Sequence, residues 1–198
     1  FVEEAKQKIA AQVELPEGYS IVYGGQFENQ QRANKRFSTV IPLSILAIFF
    51  ILFFTLKSVS LSLLILLNIP FAVTGGLISL FLSGEYISVP ASVGFIALFG
   101  IAVLNGVVMV GYFLQLLKEG YSLDDTIVIG AKRRLRPVLM TAFIAGFGLV
   151  PMLLSSGVGS EVQKPLAIVV LGGLVTSSIL TLLILPPLFR IVVRKIGI

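Results

Sequence analysis

The sequence predicts an all-α polytopic membrane protein with five transmembrane helices, an interfacial helix and a short N-terminal α/β remnant. Three observations predict it. Hydrophobic residues make up 56% of the 198-residue chain and charged residues only 13%, with a mean hydropathy of +1.00, outside the range of a soluble domain. Apolar runs long enough to cross about 30 Å of hydrocarbon with about 20 residues recur five times. The charges gather between these runs rather than inside them.

Residues 1–38 are the one stretch with soluble character. Val2, Ala5, Ile9 and Val13 fall on one helical stripe. Pro16-Glu17-Gly18 signals a turn. Residues 19–23 alternate as a short strand that Gly24-Gly25 ends, and residues 28–37 read as a polar helical lead-in to the membrane. With Phe1 first and no signal-peptide pattern, the sequence reads as a segment of a longer polypeptide.

The membrane bundle, residues 39–198, has spans expected at about 40–56, 61–82, 91–116, 137–154 and 166–189. Asn68, Pro70, Gly75 and Gly76 predict a kink and a close helix approach in the second. Pro90 suits the first turn of the third. Between the third and fourth spans, Ser122 with Asp125 makes a capping-box-like start. Leu123, Ile127, Val128 and Ala131 then suit an interfacial helix over about 122–134. The fifth span is expected to close at Pro186-Pro187.

Orientation follows from Lys132, Arg133, Arg134 and Arg136, set directly against Pro137 and an apolar run. On translocon-type scales a central Arg or Lys costs about 2.5–3.5 kcal/mol, so this block belongs at the cytoplasmic surface by the positive-inside rule. Lys57 and the tail residues Arg190, Arg194 and Lys195 then fall on the same side, and Glu85, Glu161 and Lys164 on the other. The N-terminal segment is expected in the periplasm and the C-terminus in the cytoplasm.

Composition narrows the chemistry. The chain has no Cys and no His, which removes thiolate and imidazole metal ligands, disulfides, Cys nucleophiles and His bases. The net charge of +5 is distributed over the ends of apolar runs, not over a surface fit for nucleic acid. Met109, Met140 and Met152 are too scattered for a soft-metal path and read as core filler. No cofactor motif is present, and an enzyme is not expected.

Four residues stand out as candidate proton-relay groups: Asn105, Arg134, Arg136 and Thr141. Asn105 is a strongly polar residue near mid-membrane, readable as an interhelical hydrogen bond or as a polar station on a proton path. Arg134 and Arg136 read as snorkelling anchors or as inward partners of a carboxylate. Thr141 has a similar choice between bonding its own helix backbone and joining a network. No Asp or Glu lies inside a span, so an acidic proton carrier is expected outside this chain.

Four motifs in order carry a family resemblance: GGQFEN at 24–29, GFIALFGIAVLNG at 94–106, RLRPVLMT at 134–141 and GSEVQKPLA at 159–167. Together they resemble the C-terminal part of a resistance–nodulation–cell division efflux pump, nearest the cobalt–zinc–cadmium branch. The resemblance implies a trimer whose protomer has two six-helix halves and a large periplasmic region. This chain would supply helices eight to twelve, with residues 1–38 ending the periplasmic porter region. It further implies proton-driven antiport of divalent metal cations from the inner membrane of a Gram-negative cell, through a periplasmic adaptor and an outer-membrane channel.

The acidic carriers of the family lie on the fourth helix, so the remaining polypeptide is an implied partner. The drug-exporting branch has Lys, and the copper/silver type Glu, at the place of Leu104; the latter also has Lys at Val138. These departures favour divalent metals. A pump for organic amphiphiles and a non-transporting assembly subunit are the alternative readings.

Overall fold

The computed structural model describes residues 2–13, 16, 18, 21, 26–157 and 159–196. The described residues form helices and no strand: α1 (Val2–Gln12), α2 (Gln26–Leu56), α3 (Val59–Leu66), α4 (Asn68–Ser83), α5 (Val89–Lys118), α6 (Leu123–Leu154), α7 (Ser160–Ile179) and α8 (Leu185–Ile196), with a π-helical turn at Leu180–Ile184 between the last two. The chain divides into two compact units, residues 1–40 and 41–198.

In the first unit, α1 carries the exposed i,i+4 pair Lys8–Glu4 at 2.9 Å, worth a few tenths of a kcal/mol. The first turns of α2 carry the similar pair Arg32–Glu28. The strand expected at 19–23 and the Gly24-Gly25 stop fall outside the described residues, except Ile21, which is exposed and non-helical.

The second unit holds the membrane bundle. Five stretches are long and apolar enough to cross a membrane: Gln31–Leu56, Val59–Ser83, Val89–Lys118, Leu123–Leu154 and Ser160–Ile196. Ser58, Ser88 and Ser122 cap α3, α5 and α6, each accepting a backbone N–H from three residues on. That satisfies donors which hydrocarbon would leave orphaned. The expected kink of the second span is a break at Leu67 between α3 and α4, one residue before Asn68 and three before Pro70.

The centre of the bundle is the α4–α5–α7 contact. Glycines set its spacing. A Cβ built on Gly172 would lie 1.8 Å from Ser79 Oγ, and one on Gly75 would lie 2.0 Å from Thr176 Oγ1. At this approach Thr176 Oγ1 donates across to Phe71 O at 3.0 Å. Close packing and such bonds replace the hydrophobic drive that lipid cannot supply. Phe113 and Phe189, both fully buried with ring centroids 4.9 Å apart, fasten α5 to α8.

Two expectations are corrected. Residues 122–134 do not form a separate interfacial helix, because α6 runs unbroken from Leu123 to Leu154 through Pro137 and Pro151. An internal proline removes one backbone hydrogen bond, and membrane helices tolerate that loss. The fifth span does not close at Pro186-Pro187 but begins at Ser160 and continues to Ile196. The π turn explains the continuation. Pro186 and Pro187 have no N–H to give, and just before them Leu185 N–H reaches back to Leu180 O, five residues away, widening the turn.

The two ends of the bundle differ in charge. Glu85 and Lys164 meet at 3.7 Å at one end. At the other, Arg190 pairs with Asp124 at 2.6 Å, and Lys57, Lys118 and Ile196 line one pocket.

Candidate functional site

The polar residues singled out in the sequence fall on the α5–α6 pair, two consecutive helices joined by the four-residue loop 119–122. α6 starts firmly. Ser122 Oγ accepts from Asp125 N at 3.1 Å and donates to Asp125 Oδ2 at 2.6 Å, while Asp124 and Asp125 complement the positive end of the helix. Gly130 then lets α6 close on α5, since a Cβ there would lie 2.4 Å from the Phe113 ring.

One turn further, two arginines grip Tyr112 of α5. Arg133 Nη1 donates to the Tyr112 hydroxyl at 2.9 Å. The Arg134 guanidinium lies over the same ring, its Cζ 4.5 Å from the centroid. A cation on a tyrosine face contributes about 0.5–2 kcal/mol, more where water is excluded. Tyr112 thus fixes the side of α6 that faces α5.

From this contact the helical register runs inward on both helices. Asn105 precedes Tyr112 by seven residues and Thr141 follows Arg134 by seven, two turns or about 10.5 Å each. In a consecutive, antiparallel pair that places Asn105 and Thr141 at one level. Asn105 is 5% exposed, and its Nδ2 has no hydrogen-bond partner among the described residues. Thr141 is exposed and donates to Pro137 O at 2.9 Å, filling the carbonyl of its own helix. Arg136 stands apart. Two residues on a helix turn it about 200° from Arg134, and its side chain is exposed.

Asn68 forms a second polar point that sequence reasoning treated only as a kink former. Fully buried at the α3–α4 break, it donates from Nδ2 to Ile65 O at 3.0 Å and accepts from Thr181 Oγ1 at 3.3 Å. Gly106 makes the room, for a Cβ there would sit 2.6 Å from Asn68 Nδ2. The break in one helix and the π turn in another are therefore tied by one hydrogen bond. Among the described residues no three His, Cys, Asp or Glu side chains gather into a metal-binding group.

Comparison with known proteins adds the following. Residues 1–193 match the model of the AcrB/AcrD/AcrF family. The chain is 49% identical over 195 residues to the cobalt-zinc-cadmium resistance protein CzcA of Cupriavidus metallidurans, covering 98% of this chain and 18% of the relative. The nickel and cobalt resistance protein CnrA of the same organism is 46% identical, with 98% and 18% covered. The crystal structure of a heavy metal efflux pump superposes with a TM-score of 0.81 at 43% identity, covering 96% of this chain and 19% of that one. The chain therefore spans about a fifth of the length of these relatives.

Proposed function

Because the chain belongs to the AcrB/AcrD/AcrF family, the resistance–nodulation–cell division transporters, we propose that it forms five membrane helices of a proton-driven antiporter exporting divalent heavy-metal cations. The intact protein would work as a trimer in the bacterial inner membrane, with a periplasmic adaptor and an outer-membrane channel. The basic end of the bundle, with Lys57, Lys118 and the start of α6, is assigned to the cytoplasm by the positive-inside rule. The N-terminal segment is assigned to the periplasm.

The observation that carries the reading is the polar line on the α5–α6 pair: Arg134 on Tyr112, then Asn105 and Thr141 two turns inward. No carboxylate accompanies them along α5 or along α6 beyond its first turn. A guanidinium keeps its proton, so Arg134 is no carrier. It acts on one instead. A carboxylate brought near it from the remaining polypeptide is held ionised by the charge, and its affinity for a proton changes as the distance changes. The free Asn105 amide offers a donor to the same group. Arg136, on the opposite side of α6, is assigned to the membrane interface.

The similarity to proteins named for resistance to cobalt, zinc, cadmium and nickel supports divalent cations as cargo. A pump for organic amphiphiles is the second reading. Leu104, exposed and uncharged on α5, weighs against it. A non-transporting assembly subunit would give no reason for these four motifs. Proton flux across proteoliposomes holding the intact protein separates the readings: zinc-dependent flux supports antiport, flux dependent on amphiphiles alone supports the second, and none supports the third.

A further inference from the structure

α6 touches the bundle along one narrow stripe and leaves a long slot between itself and α7. The slot holds about 510 Å³ and is walled by apolar side chains, among them Leu139, Phe143 and Phe147 of α6 and Val175 and Leu182 opposite. On α6 it runs from Leu135 to Val150, about 22 Å at 1.5 Å per residue. That is most of the depth of a membrane's hydrocarbon. The slot's length and apolar walls match an extended acyl chain.

Two features at one end give the slot a chemistry. Arg136 and Lys132 are exposed and lie three and seven residues before Leu139, at helical spacing, so both stand on the slot's own face of α6, Arg136 level with its Leu135 end and Lys132 one turn beyond it. The second feature is Ser178, which lines the slot at 5% exposure with no partner for its Oγ among the described residues. Its depth follows from register. A Cβ on Gly146 would lie 3.5 Å from Leu171 Cδ2, and seven residues along each antiparallel helix bring Leu139 level with Ser178. The free hydroxyl thus sits about one turn inside the cationic end.

We propose that this slot is a binding site for one anionic glycerophospholipid: an acyl chain along the slot, a glycerol ester carbonyl on Ser178 Oγ, and the phosphate on Lys132 and Arg136. Cations at a membrane surface attract anionic headgroups, and a buried hydroxyl facing hydrocarbon needs an acceptor. The site is separate from the α5-facing side of α6 that carries Arg134 and Thr141.

Native mass spectrometry of the full-length transporter, delipidated and titrated with phosphatidylglycerol or phosphatidylcholine, tests this. Phosphatidylglycerol should be retained in preference to phosphatidylcholine. Its retention should fall about tenfold in the double variant Lys132→Gln/Arg136→Gln. It should fall similarly in Ala142→Trp, which fills the slot, and stay within about twofold in Ile144→Trp, on another face of α6. A photo-crosslinking benzoylphenylalanine at position 143 should label lipid. Equal retention of the two lipids, indifference to the charge variant, or crosslinking to the protein's own polypeptide would each overturn the proposal. The last outcome would show a protein segment in the slot.

Discussion

Arg134 lies over the ring of Tyr112, with its guanidinium carbon 4.5 Å from the ring centroid, while Arg133 holds the hydroxyl of the same tyrosine at 2.9 Å. The two contacts separate by substitution. Tyr112→Phe deletes the hydroxyl bond and keeps the ring under Arg134, whereas Tyr112→Leu deletes both. We expect Tyr112→Phe of the intact transporter to keep most of its zinc-driven proton flux. Tyr112→Leu should lose most of it, at a stability cost of about 0.5–2 kcal/mol. Flux in proteoliposomes and thermal unfolding in detergent check the pair.

Asn105 predicts a split between stability and function. Its buried amide nitrogen has no hydrogen-bond partner among the described residues, and an unsatisfied buried polar group costs about 1–3 kcal/mol. Asn105→Leu should therefore leave thermal stability unchanged or raised while lowering transport. A variant that unfolds at lower temperature would instead mark Asn105 as a packing residue.

The fold was legible wherever one segment decides its own state. Five apolar runs located the spans, and Asn68 with Pro70 located the break at Leu67. Ser122 and Asp125 located the start of α6. What escaped were outcomes set by partners far away in sequence. Pro137 was read as a boundary, yet the bundle carries α6 straight through it. The π turn before Pro186 depends on how two prolines are accommodated in a packed helix, not on a local motif.

The same limit applied to the site. Arg134 and Asn105 were visible as polar residues beside or inside apolar runs. Tyr112 was not, because an aromatic near a helix end reads as an interfacial anchor. The Asn68–Thr181 bond joins residues 113 apart, and no pattern within either span announces the other. Gly106, next to Asn105, was the available signal: a glycine inside a long helix often marks a close approach.

That bond is measurable. In a double-mutant cycle of Asn68→Ala and Thr181→Val, the coupling should be about 0.6–1.7 kcal/mol, the range found for hydrogen bonds between membrane helices. Equilibrium unfolding in mixed micelles would supply the four free energies. Zero coupling would mean the 3.3 Å contact contributes nothing.

At the α4–α7 contact the steric prediction is direct. Gly172→Ala drives a Cβ to 1.8 Å from Ser79 Oγ, and overpacking of this kind costs about 1–3 kcal/mol. Ser79→Gly in the same chain should restore part of the loss, the approach to Gly75 O at 2.7 Å remaining. Gly148, where a Cβ meets nothing within 4 Å, should accept alanine with little change. The melting temperatures of the three variants decide this.

Arg134 is the residue proposed to couple proton movement to transport. Metal-dependent proton flux through Arg134→Ala, reconstituted as the intact protein at matched trimer content, tests it most directly. Flux should fall to the level of protein-free vesicles while the trimer still assembles. Flux at the parent level would contradict it and leave Arg134 as a surface anchor alone.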